Sequence, residues 1–296
     1  MIGLDWGTTR LRAFRIAEDG VVRDVRRADR GVLSVKPGGF ADTLRDIAGD
    51  WLGAGERRVL IAGMAGSRQG WQEVPYLDCP AEFGAIAAAA RPVAFDAAEV
   101  FILPGLAARD EAGVPEVMRG EETQIVGAAD GDARRLVCLP GSHSKWATVA
   151  AGRIEGFRSY MTGESFAAIG GATILAQTIE AGAPDPAAFA DGVTRAGQPG
   201  GLLHHLFGVR TRVLLDGVAK TAARDYLSGL LIGHEVRHAL PPDAAEVTLI
   251  GDASLCSLYR DAIVLCGGTA RLHDAGAGDA ACLGLARLGE QIPWRH

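Results

Sequence analysis

Two short stretches of this chain concentrate the groups that phosphate chemistry needs. The first is Asp5-Trp6-Gly7-Thr8-Thr9-Arg10 and the second is Pro140-Gly141-Ser142-His143-Ser144-Lys145. Each follows a short apolar run, Ile2-Gly3-Leu4 or Leu136-Val137-Cys138-Leu139, and sets glycine beside hydroxyl residues. Glycine has no Cβ, so backbone N–H groups at such a turn can close around an anion, and Thr or Ser hydroxyls add donors. Gly7, Thr8, Thr9 and Arg10 on one loop, with Gly141, Ser142, His143, Ser144 and Lys145 on the other, are therefore candidate contacts for a nucleotide's phosphate tail. Asp5 supplies a carboxylate for the Mg2+ that phosphoryl transfer uses, and the ion's firm hydration shell predicts a contact through water. The competing reading is two unrelated glycine hairpins, with Arg10 a solvated charge and Lys145 a strand-edge charge.

Such loops need strands on either side, and the flanking residues read that way. Strands are expected at 1–5, 11–16, 20–26, 58–62 and 99–103. Helices are expected at about 39–52, where Leu44, Ile47, Ala48 and Trp51 share a face, at the Ala-rich 81–90 and at about 119–130. The second hairpin brings strands near 136–140, 145–149 and 153–159. Helices follow at about 164–180, 186–192, 199–207 and 219–239, then a strand at 246–250, a helix at 253–260, a strand at 262–265 and a last helix at 278–291. Pro184, Pro186, Pro199 and the Gly200-Gly201 pair break the helical region into pieces. The second half thus opens with the β-β-β-α order of the first. This pattern predicts an α/β protein whose mixed sheet is built twice, with a ligand cleft between the halves. The expected domains are 1–131 and 132–296, the last helix being free to pack back on the first.

Composition narrows the class. A chain of 296 residues exceeds the roughly 250 at which single cores stop growing, which also favours two domains. With 48% hydrophobic and 22% charged residues it reads as globular. A net charge of −6 argues against general binding to nucleic acid or anionic membranes, so a small anionic ligand would need local cations. Cys79, Cys138, Cys256, Cys266 and Cys282 form no C-x-x-C pair, which suggests neither a disulfide framework nor a zinc ribbon. No apolar run approaches ~18 residues, and the chain starts directly in a strand, so a cytoplasmic protein without a membrane partner is expected.

Asp-x-Gly-Thr at the first hairpin, the second Gly-Ser loop and the late Ile250-Gly251-Asp252 resemble the three nucleotide motifs of the actin, Hsp70 and sugar-kinase superfamily. The resemblance narrows on further motifs, in order: Gly66-Ser67-Arg68-Gln69-Gly70-Trp71, Met118-Arg119-Gly120-Glu121-Glu122-Thr123-Gln124, Pro140 to Trp146, and Met161-Thr162-Gly163-Glu164. Leu203-His204-His205-Leu206-Phe207 and Ser228-Gly229-Leu230-Leu231-Ile232-Gly233-His234-Glu235 complete the set. Together they are similar to the 2-dehydro-3-deoxygalactonokinase family over essentially the whole chain. That resemblance implies a two-domain actin-like (ribonuclease H-like) ATPase fold with the ATP cleft between domains. It also implies ATP-dependent phosphorylation of the 6-hydroxyl of 2-dehydro-3-deoxy-D-galactonate, a small keto acid, in galactonate breakdown. The wider superfamily often carries a second Asp on its second phosphate loop; Leu139 stands there in this chain.

Roles follow from that substrate. An alcohol is a poor nucleophile, so a carboxylate beside the transferring phosphate must accept its proton. Related carbohydrate kinases place an Asp in a G-D-x-x stretch where this chain has Gly120-Glu121-Glu122, which leaves Glu121 and Glu122 both open as the base. Acidic residues also suit a helix N-terminus for its dipole alone. The loop after strand 58–62 opens at a strand's carboxyl end, where ligands sit in open α/β sheets. There Arg68 offers a planar fork for the acid's carboxylate, with Ser67, Gln69 and Trp71 to read hydroxyls and pack the carbon chain. Gly251 and Asp252 are expected near adenine or ribose. A homodimer is compatible with the sequence.

Rival readings attach to three motifs. His234-Glu235-Val236-Arg237-His238 spells H-E-x-x-H, as in a zinc metallopeptidase, but Pro241-Pro242 ends that helix and no third ligand is evident. Asp274-Ala275-Gly276-Ala277-Gly278-Asp279-Ala280 is similar to the anion hole of ribokinase-like kinases, without their early di-glycine signature. Lys220-Thr221 follows Ala219, so a P-loop ending is absent. An Hsp70-type ATPase clasp shares the phosphate loops but not the substrate motifs.

Overall fold

The computed structural model describes residues 1–129, 131–241, 246–273 and 279–295. Its first unit consists of Met1–Arg134, Thr148–Phe157 and His273–His296, and its second of Arg135–Ala147 and Arg158–Leu272. The first unit begins with β1 (Ile2–Trp6), β2 (Leu11–Ile16), β3 (Val22–Ala28), α1 (Phe40–Gly53) and β4 (Arg58–Gly63). Next come β5 (Leu77–Asp78), β6 (Ala81–Glu82), α2 (Phe83–Ala88), β7 (Arg91–Val93) and β8 (Glu99–Ile102). β9 (Leu106–Arg109), β10 (Pro115–Met118) and α3 (Glu121–Ala128) complete this run.

The main sheet of this unit has the order β3-β2-β1-β4-β8-β7. β1 and β2 are antiparallel, with Asp5 opposite Arg12, while β1 and β4 are parallel, with Trp6 opposite Gly63. β8 continues the parallel run beside β4. The carboxyl ends of three neighbouring strands therefore lie along one edge, the position at which open α/β sheets bind ligands. α1 holds that sheet from one face. Phe40, Leu44, Ala48 and Trp51 recur every three or four residues and bury among Leu4, Trp6, Val59 and Ile61. Each such large side chain contributes about 1.5–3 kcal/mol by leaving water.

The second unit carries β11 (Arg135–Leu139), β12 (Ser144–Ala150), β13 (Arg153–Tyr160), α4 (Thr162–Ala172), α5 (Pro186–Ala196), α6 (Gly201–Leu215) and α7 (Lys220–Ala239). β14 (Val247–Leu249), α8 (Ala253–Leu265) and β15 (Ala270–Leu272) follow, and α9 (Ala280–Gly289) ends the chain. The outer part of the β12–β13 hairpin and all of α9 belong to the first unit, where Ile154 pairs with Ala81 of β6. β11, β14 and β15 are parallel neighbours. Outward from β11, the strand order repeats that found outward from β1, as the doubled β-β-β-α pattern predicts.

Element boundaries differ from the sequence reading in instructive places. Residues 262–265 are the last turn of α8 and not a strand, because Cys256, Tyr259, Ala262 and Ile263 continue one buried helical face. The following strand is β15. The helix expected at 164–180 stops at Ala172 and gives way to a 3-10 turn, Ile174–Gln177, whereas the one expected at 199–207 runs on to Leu215. The pieces β5, β6, β7, β9 and β10 have two to four residues each, too few for period-two alternation to register.

α3 and α9 meet backbone to backbone. A Cβ on Gly127 would stand 1.8 Å from the Ala280 carbonyl oxygen, and one on Gly284 would stand 1.8 Å from that of Thr123. Arg287 then caps the carboxyl end of α3, donating from Nη1 to the carbonyls of Val126 (2.7 Å) and Ala129 (2.5 Å). Gly284→Ala is expected to force the helices apart and lower unfolding stability by about 1–3 kcal/mol in urea titration. Gly49→Ala, in α1 with open space around its Cα, is expected to raise it by about 0.4–1 kcal/mol.

Candidate active site

In the first unit, Asp5 stands one residue before the end of β1, with its side chain 16% exposed. Its Oδ2 accepts two hydrogen bonds from Arg12, from Nε at 3.1 Å and Nη2 at 2.5 Å. Arg12 Nη1 donates in turn to Asp279 Oδ2 at 2.6 Å, and Asp279 caps α9 by accepting from the Ala281 N–H at 2.9 Å. Both bonds fall on Oδ2, which leaves the lone pairs of Oδ1 for a hydrated cation. One such carboxylate suits Mg2+, which keeps several waters and draws its other ligands from phosphates.

The loop Gly7–Arg10 is tethered from below. The Val32, Leu33 and Gly31 N–H groups donate to the carbonyls of Gly7, Thr8 and Thr9 at 3.0, 3.2 and 3.0 Å. A Cβ at Gly31 would collide with Thr8 and Thr9 backbone at 2.3 Å, so a bare glycine lets the two segments nest. With its carbonyls turned inward, the loop presents Thr8, Thr9 and Arg10 to solvent. Arg10 makes only a long contact to Asp29, 3.9 Å between exposed groups.

Glu121 and Glu122 begin α3 at the same edge. Gly120, at φ 109°, approaches so closely that a Cβ there would lie 3.3 Å from the Cα of Gly63, the last residue of β4. The two carboxylates diverge from that point. Glu122 is 0% exposed; its Oε2 accepts from the Gly120 N–H at 2.7 Å and its Oε1 from the Thr123 hydroxyl at 3.2 Å. Burial, reinforced by the neighbouring Glu121 charge, pushes its carboxyl up to about 8. Glu121 is half-buried, and its Oε2 accepts from the Arg119 N–H at 3.0 Å. Of the two, Glu121 alone is partly exposed.

The loop after β4 places its candidate residues in different surroundings. Arg68 is 88% exposed and donates from Nε to Glu73 at 3.1 Å. Gln69 is exposed too, and Trp71 joins Trp6, Phe40 and Phe95 in an aromatic cluster with centroid separations of 6.1 to 6.4 Å. Ser67 turns its Oγ inward, where it has no hydrogen-bond partner among the described residues.

In the second unit, Pro140-Gly141 leaves the end of β11, and Gly251-Asp252 leaves the end of its parallel neighbour β14. Asp252 caps α8, accepting from the Ser254 and Leu255 N–H groups at 3.0 and 3.1 Å, and the Ser254 hydroxyl first, with these N–H groups, holds its carboxyl below the usual range. Ser142 and His143 are exposed. α4 braces them: the Glu164 N–H donates to the Ser142 carbonyl at 3.0 Å, the Glu164 carboxylate pairs with His143 Nε2, and a Cβ at Gly163 would fall 2.4 Å from the Gly141 carbonyl oxygen. Ser144 and Lys145 point away from the open side. Ser144 Oγ bonds the Tyr259 hydroxyl at 2.7 Å inside the core, and Lys145 Nζ donates to the His143 carbonyl at 3.1 Å. A cavity of about 230 Å3 beside this loop is lined by Gly141, Gly163, Arg224, Ser228, Leu255 and Leu258.

The H-E-x-x-H helix is wired internally. Glu235 accepts from Trp146 Nε1 and the Tyr259 hydroxyl, both at 2.7 Å, and lies buried with its carboxyl raised. His234 meets His205 at 3.1 Å, and His238 bonds the His234 carbonyl at 2.7 Å. His204 is exposed and stands 3.3 Å from Arg195. Of the 274–280 stretch, 274–278 lies outside the described residues.

Arg12, Asp279 and Arg119 carry structure that the motif reading did not assign. A signal for Arg12 was available: folding the first hairpin about Gly7–Arg10 sets residues 5 and 12 opposite each other. Asp279, 267 residues from Arg12, had none.

The family model described as 2-keto-3-deoxy-galactonokinase matches residues 5–288. A Rhizobium meliloti (strain 1021) protein named "Probable 2-dehydro-3-deoxygalactonokinase" is 41% identical over 280 residues, 92% of this chain and 91% of that protein. The 2-dehydro-3-deoxygalactonokinase of Escherichia coli (strain K12) is 32% identical over 263 residues, 88% of each. A crystal structure from Sinorhizobium meliloti, assigned to the same activity, superposes with a TM-score of 0.89 at 40% identity over 97% of both chains. A structure assigned as an N-acetylglucosamine kinase of Porphyromonas gingivalis, 15% identical, matches with a TM-score of 0.52 over 97% of this chain and 98% of that one. The fold is the two-domain, actin-like sugar-kinase fold.

The buried carboxyl gives a prediction in pH. Glu122 titrates near 8 in the folded chain against an ordinary 4.5. Between those values the folded state holds a proton that the unfolded state has lost. Stability therefore falls as pH rises through the window, by up to about 1.4 kcal/mol per unit, and is largest below the unfolded value. Glu122→Gln is expected to flatten this slope between about pH 5 and about pH 8 in urea midpoints.

Proposed function

The chain belongs to the 2-keto-3-deoxy-galactonokinase family, and from that membership we propose the reaction it performs. It transfers the γ-phosphate of ATP to the terminal 6-hydroxyl of 2-dehydro-3-deoxy-D-galactonate. The products are ADP and 2-dehydro-3-deoxy-6-phosphogalactonate, in galactonate breakdown in the cytoplasm. The observation that carries the reading is the meeting, at one strand edge, of a glycine-hydroxyl loop, a carboxylate fixed through one oxygen and a helix N-terminus bearing Glu121.

In this reading, N–H and hydroxyl groups of Gly7, Thr8 and Thr9 hold phosphate oxygens, and Arg10 is available to a third contact. Gly141, Ser142 and His143 do the same from the second loop, His143 being oriented by Glu164. Adenine takes the cavity beside Gly141, against Leu255 and Leu258. Asp5 Oδ1 holds a hydrated Mg2+, which when bound neutralises phosphate charge. Glu121 accepts the proton of the 6-hydroxyl as the oxygen attacks phosphorus. Glu122, enclosed and protonated, fixes the turn that aims Glu121.

The test is ADP release coupled to product analysis across 2-keto-3-deoxy sugar acids. Formation of the 6-phosphate is expected. Fast ATP hydrolysis with no phosphorylated acid would replace the kinase by an ATPase clasp. Glu121→Gln is expected to lower kcat by roughly 10²–10⁴ with ATP affinity kept. Full activity in Glu121→Gln beside a dead Glu122→Gln would move the base to the buried carboxyl.

A further inference from the structure

Resting on the kinase reading above, we infer that Arg119 and Ser67 form the seat of the substrate's carboxylate, the role that the sequence suggests for Arg68. Arg119 lies one residue before Gly120, at the entrance to α3. Its guanidinium is held on several sides. Nη2 donates to the Val74 carbonyl at 2.8 Å, Cζ stands 4.3 Å over the Tyr76 ring, and the bare Cα of Gly66 makes room for Nη1, which a Cβ there would meet at 2.7 Å. Yet Nε and Nη1 are enclosed with no hydrogen-bond partner among the described residues, and Ser67 Oγ, next along from Gly66, is enclosed in the same condition.

A guanidinium is ionised throughout the working pH range and cannot shed its charge to escape burial. Enclosed charged donors without acceptors are destabilising, so native proteins seldom keep them without a use. Nη1 and the Ser67 hydroxyl, unsatisfied donors from two adjacent segments, ask for one compact oxyanion, while Nε lies on the guanidinium's other edge. Nη2 spends one of its two hydrogens on Val74, so the Nη1–Nη2 edge still presents the two-point fork that matches a carboxylate. Arg68 offers no comparable place: it is exposed and already paired with Glu73, and an anion there would stay hydrated and screened.

Position completes the argument. Glu121, the proposed base, accepts a hydrogen bond from the N–H of Arg119 itself. One turn of chain therefore sets the proton acceptor and the carboxylate seat a side chain's length apart. A six-carbon acid with its carboxylate at one end and its reacting hydroxyl at the other can lie along that turn. A sugar lacking the carboxylate would leave the enclosed donors unpaired, which makes the seat a device for rejecting neutral sugars.

The experiment compares 2-dehydro-3-deoxy-D-galactonate with its methyl ester, using wild type, Arg119→Gln, Arg119→Lys, Ser67→Ala and Arg68→Gln, each shown to be folded by its melting transition. Arg119→Gln is expected to raise KM for the acid about 10- to 150-fold, leave KM for ATP nearly unchanged and erase the preference for acid over ester. Arg119→Lys should recover part of the loss, Ser67→Ala should lose about 2- to 10-fold, and Arg68→Gln should match wild type. Should Arg119→Gln not fold, Arg119→Lys and Ser67→Ala carry the same comparison. The inference is overturned if folded Arg119 and Ser67 variants keep the wild-type acid preference, if Arg68→Gln loses it, or if Arg119→Gln raises KM for ATP instead, which would make the seat one for phosphate. Failure of the parent reading is separate: a wild type that phosphorylates none of the acids defeats the kinase assignment. In that case calorimetric titration of the acid into wild type and Arg119→Gln still decides whether Arg119 binds the carboxylate.

Discussion

Gly63 and Gly120 lie close together, both at positive φ, and a Cβ on Gly120 would stand 3.3 Å from the Gly63 Cα. Gly63 is constrained on its other side as well, since a Cβ there would meet the Trp6 carbonyl oxygen at 2.7 Å. Three backbone segments, the ends of β1 and β4 and the start of α3, thus converge closely. The glycine-hydroxyl loop, the Asp5 carboxylate and the acidic helix start share one edge because of that convergence. Any larger residue at either glycine would strain the backbone and separate the groups together.

The neighbouring carboxylates show how environment divides labour between identical side chains. Glu122 has its oxygens enclosed by the Gly120 N–H and the Thr123 hydroxyl and holds a proton to about pH 8. Glu121, one step around the helix, retains a solvent face. A raised carboxyl is often read as a mark of catalysis. Here access argues the other way, because a base must touch the proton it removes. Asp5 shows the complementary arrangement: Arg12 and Asp279 fix one of its oxygens and so orient the other.

Local signals carried much of the fold. The apolar runs, the glycine-hydroxyl turns and the doubled β-β-β-α order are properties of contiguous residues, and they reappear as β1–β3 with β4 and as β11–β13 with β14. Contacts distant in sequence were not legible. Nothing near Ser144 tells that its hydroxyl will meet Tyr259, 115 residues on, instead of a phosphate. Arg68 and Arg119 both look like carboxylate binders in one dimension; only burial separates the exposed from the enclosed one. The run 262–265 misled because its β-branched Ile263 and Val264 read as strand, while Ile263 sits on a helical face whose partners lie elsewhere in the chain and Val264 is exposed.

The return of α9 to the first unit has a consequence for how the protein is made. A ribosome delivers α3 more than 150 residues before α9, and the groove over Gly127 stays uncovered for that whole interval. The salt link from Arg12 likewise waits for Asp279. The N-terminal half cannot reach its final state as an independent early folder, in contrast to the usual vectorial order in which the first domain finishes first. Its completion instead waits for α9 to emerge, so the nascent chain holds α3 uncovered and Arg12 without Asp279 until then.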